Sequence, residues 1–126
     1  MSVMEPRQFV RTSYSPVVSQ GQLLRCVDDL ARLLRPGMEV YVAGCTGQSA
    51  LFDAWLRERP EASAGVRYTG VFIPGANRTD YAALHPEARM RSLFLAPEFR
   101  ASFVAGRVEF MPQSYSAAWD WLSRQR

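Results

Sequence analysis

Four short runs rich in β-branched and aromatic residues alternate along the chain with turns and amphipathic stretches. The runs cover residues 38–43, 66–73, 91–96 and 108–111. Each has the length of a strand and is bounded by turn residues such as proline and glycine. Strands that alternate with helices form parallel sheets joined by right-handed crossovers. We therefore predict a single α/β domain with a mainly parallel sheet of about four or five strands and helices on both faces.

Helical spacing of apolar residues marks the segments between these runs. Leu23, Val27, Leu30 and Leu34 predict an amphipathic helix that begins near Gln20, and Cys26, which flanks this apolar stripe, is predicted to be a core residue. Residues 50–59 predict a second helix, and residues 76–88 predict a loop with one helical turn.

The last third of the chain repeats the same alternation. Pro97 suits the first turn of a helix that Gly106 ends, and Phe99, Phe103 and Val104 are expected to face the sheet. Ser114 or Ser116 can cap a final helix through Trp119, Trp121 and Leu122.

The length of 126 residues fits one compact domain. We predict a lead-in over residues 1–18 and the α/β domain over residues 19–126. No apolar run approaches the roughly 20 residues that span a bilayer, and the first residues lack the apolar core of a secretory signal. The sequence therefore predicts a cytoplasmic protein without a membrane partner.

All 15 basic residues are arginine, and the formal net charge is +3. The absence of lysine excludes a Schiff-base lysine and a lysine-dependent phosphate loop within this chain. The arginines are spread along the sequence, so we predict no nucleic-acid partner. The two cysteines, Cys26 and Cys45, are expected to be reduced thiols, and no cysteine pair indicates a metal site.

Ligands of parallel sheets bind at the carboxyl ends of the strands. Three segments follow predicted strands there: residues 44–49, 74–81 and 112–116. The first combines small residues with the hydroxyls of Thr46 and Ser49 at a helix start, which favours an anion or a developing oxyanion. Cys45 has a favourable position for a thiolate, but His85, the only histidine, has no evident route to it. Whether Cys45 has a chemical role stays open.

The same turn is similar to the glycine fingerprint of short-chain reductases, which bind NAD(P). The third glycine of that fingerprint is Ala50 here, and no acidic residue follows the second strand at Ile73. The tyrosine and lysine catalytic pair of those enzymes is impossible without lysine. A Rossmann-like NAD(P)-binding protein remains an alternative.

A wider pattern covers most of the chain, from about Gln20 to Leu122. It consists of the proline-glycine step at residues 36–42, the turn at residues 44–49, the run Arg91-Ser-Leu-Phe, Arg100, and residues 106–112 followed by Ser-Tyr-Ser. Together these resemble the amino-terminal domain of the acetyl-CoA hydrolase/transferase family, which are class I CoA-transferases and include 4-hydroxybutyrate CoA-transferases.

The resemblance implies an amino-terminal domain or small subunit of an acyl-CoA:carboxylate CoA-transferase or acyl-CoA hydrolase. Its substrates would be a coenzyme A thioester and a carboxylate, with no covalently bound cofactor. The family's catalytic glutamate lies in the carboxyl-terminal half, so no residue here receives a catalytic role. We expect the chain to be inactive alone and to form a homo- or hetero-oligomer, with a second subunit carrying the catalytic half. The alternative is a non-catalytic binding or assembly module.

The resemblance also assigns candidate binding residues. The turn would line the acyl or carboxylate end of the cleft, a second segment would form another wall, and two arginines could bind a carboxylate or a phosphate. The turn residues are Gly44, Cys45, Thr46, Gly47, Gln48 and Ser49, the second wall is Pro112, Gln113, Ser114 and Tyr115, and the arginines are Arg91 and Arg100.

Overall fold

The computed structural model of the chain describes residues 26–125. Its strands are β1 (Glu39–Val42), β2 (Arg67–Gly70), β3 (Arg89–Ser92) and β4 (Val108–Phe110). Its α-helices are α1 (Ala50–Glu58), α2 (Arg100–Val104) and α3 (Tyr115–Ser123). Short 3-10 helices cover Val27–Arg32, Cys45–Gly47, Pro60–Ser63, Tyr81–Ala83 and Pro97–Phe99.

The four strands form one parallel sheet in the order β1-β2-β3-β4. Tyr41, Thr69, Arg91 and Glu109 stand side by side in the register, one on each strand. The predicted α/β class with a parallel sheet is confirmed.

Both faces of the sheet carry helices. Because side chains alternate between the two faces of a strand, Val42, Tyr68 and Met90 lie on one face and pack in a core that includes Leu56 of α1. The residues that follow them by one position point the other way. There Leu93 and Met111 pack against Ala118 of α3, with Val71 and Trp121 beside them. Of residues 26–125, no helix is long and apolar enough to cross a membrane.

The first predicted helix is only partly present. Val27–Arg32 is a 3-10 helix, although Val27, Leu30 and Leu34 do pack against the core as expected. The prediction that Cys26 is a core residue is wrong, because Cys26 lies at the start of this helix and is exposed. The predicted start at residues 19–25 and the lead-in over residues 1–18 lie outside the described residues.

The bounds predicted for the third strand are also wrong. β3 begins at Arg89 and ends at Ser92, whereas the sequence predicted a strand over residues 91–96. The Ser92 hydroxyl donates to the Phe94 carbonyl at 2.6 Å and accepts from the Phe94 amide at 3.3 Å. These local bonds close a turn and end the strand.

The helix after Pro97 forms, but it presents different side chains to the sheet. Phe99 is fully buried as predicted, whereas Phe103 is 41% and Val104 79% exposed. The inward position of α2 belongs to Ser102, whose hydroxyl donates to the Asp80 carboxylate at 2.6 Å. The end at Gly106 is as predicted, since this residue has a φ of 70°.

Candidate functional site

A buried carboxylate lies at the carboxyl ends of β1 and β2. Asp53, in the first turn of α1, is only 5% exposed. Its Oδ2 accepts hydrogen bonds from Gln48 Nε2 at 2.6 Å and from the Thr79 hydroxyl at 2.7 Å, and its Oδ1 accepts from the Tyr81 hydroxyl. Arg57 donates to Thr79 at 2.9 Å. A carboxylate can be buried here because its oxygens are paired.

Tyr81 is the titratable donor to Asp53, and its surroundings favour the neutral phenol. Burial raises the pKa of Tyr81 above its ordinary range, and the hydrogen bond and negative charge of Asp53 raise it further. The phenol therefore remains a proton donor to Asp53 at neutral pH. Its ring packs 5.1 Å from the Tyr68 ring and 5.5 Å from the Phe72 ring, measured between centroids.

Asn77 joins the loop after β2 to the turn after β1. The side chain is fully buried and uses its whole hydrogen-bonding capacity. Its Oδ1 accepts from the amides of Cys45 at 2.9 Å and Ile73 at 2.8 Å. Its Nδ2 donates to the Cys45 carbonyl at 3.0 Å and to Gln48 Oε1 at 2.6 Å. The position of the turn is therefore fixed by a residue 32 positions away in the chain.

The turn passes very close to the strand beside it. A Cβ added at Gly44 would lie 1.8 Å from the Val71 carbonyl oxygen, which no side chain could tolerate. Cys45 has a φ of 54°, in the left-handed region that non-glycine residues seldom adopt. Its exposed thiol lies 3.8 Å from the same Val71 oxygen.

A cavity of about 330 Å³ opens between the turn and the loop after β2. Arg78 stands exposed at its wall, and within residues 26–125 no carboxylate pairs with its guanidinium. The lining residues are Cys45, Gln48, Ala50, Asp53, Ala76, Arg78 and Thr79.

The groups around this cavity differ in how free they are to bind a ligand. Asp53 is the one carboxylate of the lining, and its oxygens already accept three hydrogen bonds. The amide of Cys45 donates to Asn77, and that of Gly47 donates to the Gly44 carbonyl at 2.9 Å. Among the described residues, Arg78 is the uncommitted charge at the cavity and no free nucleophilic carboxylate lines it, so the cavity can attract an anion.

The remaining turn residues are exposed. Thr46 and Gly47 form the tip, and Ser49 caps α1 by accepting a hydrogen bond from the Phe52 amide at 3.2 Å. The second predicted wall, Pro112, Gln113, Ser114 and Tyr115, is exposed at the carboxyl end of β4. Since β1 and β4 are opposite edges of the sheet, three strand spacings of about 4.8 Å, or roughly 14 Å, separate the two walls. They share one end of the sheet without meeting.

The structure brings neither predicted arginine to the cavity. Arg91 is buried, with its guanidinium 2.6 Å from Glu39 and 3.0 Å from Glu109, and it stacks 4.4 Å from the Trp121 ring centroid. Its charge is used between the sheet and α3. Arg100 is exposed and lines a different cavity.

Of the residues that build the site, sequence reasoning named Cys45 and Gln48 of the turn and missed the others. It singled out residues 74–81 only because they follow a predicted strand. The rule that ligands bind at the carboxyl ends of parallel strands was the available signal for Asn77, Arg78, Thr79 and Tyr81. Asp53 carried no signal, since an acidic residue in the first turn of a helix is ordinary. Residues 26–125 contain no cluster of side chains that could hold a metal ion, and both cysteines are free.

We compared the chain with family models, curated proteins and solved structures. It matches no family model, no curated protein and no solved structure. What the protein does is therefore inferred from its own residues.

Proposed function

We propose that the chain is the amino-terminal domain or small subunit of an acyl-CoA:carboxylate CoA-transferase or acyl-CoA hydrolase, working in the cytoplasm. The sequence pattern between residues 36 and 116 supports this proposal. The cavity beside the turn at residues 44–49 supports it as well, because it lies where that pattern would put the acyl or carboxylate end of the cleft.

One observation carries the proposal: among residues 26–125, the cavity is lined by an uncommitted cation and by no uncommitted carboxylate. Arg78 can bind a carboxylate substrate through charge-assisted hydrogen bonds. Asp53 cannot act as a nucleophile while Gln48, Thr79 and Tyr81 occupy its oxygens. A site of this kind can hold a carboxylate substrate, and a glutamate nucleophile for it would come from outside the described residues.

The chemistry proposed for the complete site is covalent catalysis by a glutamate of a second polypeptide. Its carboxylate attacks the thioester carbonyl and the carbon–sulfur bond breaks. Coenzyme A leaves as a thiolate, and the acyl group stays on the glutamate as an acyl-glutamyl anhydride. The thiolate then attacks the glutamyl carbonyl and releases the acyl group as a carboxylate. The part of this chain is to hold that carboxylate at Arg78, on a turn that Asn77 keeps rigid.

The test is an assay of thioester exchange between acetyl-CoA and labelled acetate or another carboxylate. The isolated chain should give no exchange, and co-expression with a glutamate-bearing polypeptide encoded next to it should restore exchange. Exchange by the isolated chain, free of contaminating enzyme, would contradict the division of the site.

Arg78→Met in the restored complex probes the cavity itself. Losing a charge-assisted bond of about 1.5–3 kcal/mol should raise the KM for the carboxylate by about tenfold or more. The matched control is Arg100→Met, because Arg100 is also exposed but lines a different cavity. Equal effects of the two substitutions would mean that net charge, and not this cavity, governs the KM.

A non-catalytic binding or assembly module is the second candidate. The engagement of the Cys45 and Gly47 amides within the protein favours it, because these donors are not available to an oxyanion. A stable complex with the second polypeptide that shows no thioester exchange would support the module over the enzyme.

A further inference from the structure

Strand β1 has an unpaired outer edge within residues 26–125. The Arg67 amide donates to the Met38 carbonyl at 2.9 Å, and Val40 is the register partner of Tyr68. In a parallel ladder, alternate residues direct both backbone groups to the same neighbour. The backbone groups of Val40 therefore face β2, and those of Glu39 and Tyr41 face outward.

The path of α3 indicates what belongs at this edge. The strands follow one another from β1 to β4, and α1 packs on one face of the sheet. Helix α3 starts beside β4 but lies on the other face, where Ala118 packs against Leu93 and Met111. It crosses back toward β1, with the Trp119 ring 6.4 Å from that of Tyr41.

Helix α3 lies on the face of the sheet opposite to α1 and runs from β4 toward β1. Gln125, just past α3, lines the same cavity as Gly37 and Met38, at the amino end of β1. The helix is placed to cover a parallel strand that lies outside β1.

A groove of about 730 Å³ occupies the space that this strand would fill. Its walls are α3 and β1, and they expose apolar surface: Met38 is 38%, Tyr41 47% and Trp119 55% exposed. Leu122 lines it as well. Every second side chain of a strand beside β1 would enter the groove, so these side chains should be apolar.

We propose that the outer edge of β1 pairs with a parallel β-strand of the glutamate-bearing polypeptide, whose apolar side chains fill the groove under α3. The identity of this partner rests on the proposed function. The strand order would then reverse at β1, and ligands of open α/β sheets bind at the carboxyl ends of strands where the order reverses. That end of β1 carries the turn at residues 44–49, so the pairing would bring the partner to the substrate cavity.

Site-specific crosslinking in the complex tests the proposal. The photoreactive residue benzoylphenylalanine replaces Tyr41 in one variant and Phe110, on the opposite edge strand, in the other. We expect the residue at position 41 to crosslink to one strand-length peptide of the partner, identified by mass spectrometry, and the residue at position 110 not to reach that peptide. A crosslink from position 41 into a second copy of this chain, into residues 1–25, or into nothing would overturn the proposal.

A proline pair tests the backbone pairing separately. Proline is tolerated on an edge strand where its missing N–H would point away from the sheet. Tyr41→Pro should keep the circular dichroism of the isolated chain and weaken the partner complex by about tenfold or more, whereas Tyr41→Val and Phe110→Pro should leave the complex intact. If Tyr41→Pro keeps the complex, the backbone pairing is refuted. If it unfolds the chain, the crosslink from position 41 decides.

The two proposals can fail independently. A crosslink from position 41 to a partner strand, in a complex without thioester exchange, would support the pairing at β1 and refute the proposed activity. Restored thioester exchange with crosslinks from position 110 alone would support the proposed activity and refute the pairing at β1.

Discussion

At the residue scale, the site depends on two buried polar side chains whose partners are all protein groups. Asp53 and Asn77 lie on different segments, and Gln48 donates to the first and accepts from the second. Of the polar side-chain atoms buried in residues 26–125, none lacks a hydrogen bond. A hydrogen-bond network in which every polar group is paired favours one conformation. Removing one side chain from it should therefore lower the free energy of unfolding.

Asn77→Ala should lower the free energy of unfolding by about 2–4 kcal/mol, because it removes four hydrogen bonds and leaves partly buried groups of Cys45, Gln48 and Ile73 without these partners. Asn77→Asp puts a carboxylate oxygen against the Cys45 carbonyl and Gln48 Oε1 at a fully buried position, so it should destabilise the protein at least as much as Asn77→Ala. Urea unfolding measures both, with Gln113→Ala, at an exposed position, as the control. A loss below about 0.5 kcal/mol would show that water replaces the network.

Tyr81→Phe should change the response of stability to alkaline pH. The folded-state pKa of Tyr81 is raised above the ordinary value of about 10, so its contribution to stability is complete below about pH 10 and is lost as the pH rises toward the folded-state pKa. Between pH 10 and 11.5 the wild type should lose up to about 1.4 kcal/mol per pH unit more than Tyr81→Phe. Urea unfolding across this range measures the slopes, and Tyr115→Phe controls for removal of an exposed hydroxyl. Parallel slopes would mean that Tyr81 ionises freely.

At the element scale, the unit of β1, turn and α1 depends on close approach of the turn to the residue after β2. Gly44→Ala should destabilise the protein by more than about 3 kcal/mol or prevent folding, because its Cβ would meet the Val71 oxygen. Gly75→Ala is the matched control. Gly75 has a φ of 81° with open space around it, so the cost there should be about 1 kcal/mol. Thermal unfolding compares the two, and a Gly44→Ala protein as stable as Gly75→Ala would contradict the packing.

Helix α3 is fixed to the sheet through Arg91. Arg91→Met keeps the aliphatic stem but takes the Arg91 cation from Glu109 and from Glu39, which keeps Arg67 at 3.8 Å, and it removes the stacking on Trp121. We expect a loss of about 2–4 kcal/mol in urea unfolding and a changed tryptophan emission. Arg100→Met, at an exposed arginine, should change stability by about 0.5 kcal/mol or less. Equal losses would show that Arg91 is not a structural residue.

At the scale of the whole molecule, nucleotide binding is the alternative that the turn argues against. A dinucleotide pyrophosphate would need backbone donors of residues 44–49, but the Cys45 and Gly47 amides donate within the protein. We therefore expect no change in protein or cofactor fluorescence on titration with NADH or NADPH to millimolar concentration. Saturable binding would favour the Rossmann-like alternative.

Local sequence patterns were enough to predict the layout of the molecule. The alternation of apolar runs and turns predicted a parallel sheet covered on both faces, and a break at Gly106 predicted the end of a helix. Such signals are local, because strand length, helical spacing and turn chemistry depend on neighbouring residues. The bounds of β3 were missed where a single serine hydroxyl closed a turn.

Tertiary structure alone decided which polar residues would meet. Asp53, Asn77 and Tyr81 come from a helix and a loop whose sequences do not show that Gln48 links them in one hydrogen-bond network. It also decided that Arg91 would be buried between the sheet and α3, in a place where a ligand contact was expected. Burial and pairing depend on strand order and register, which bring together residues distant in the chain, and no local pattern encodes them.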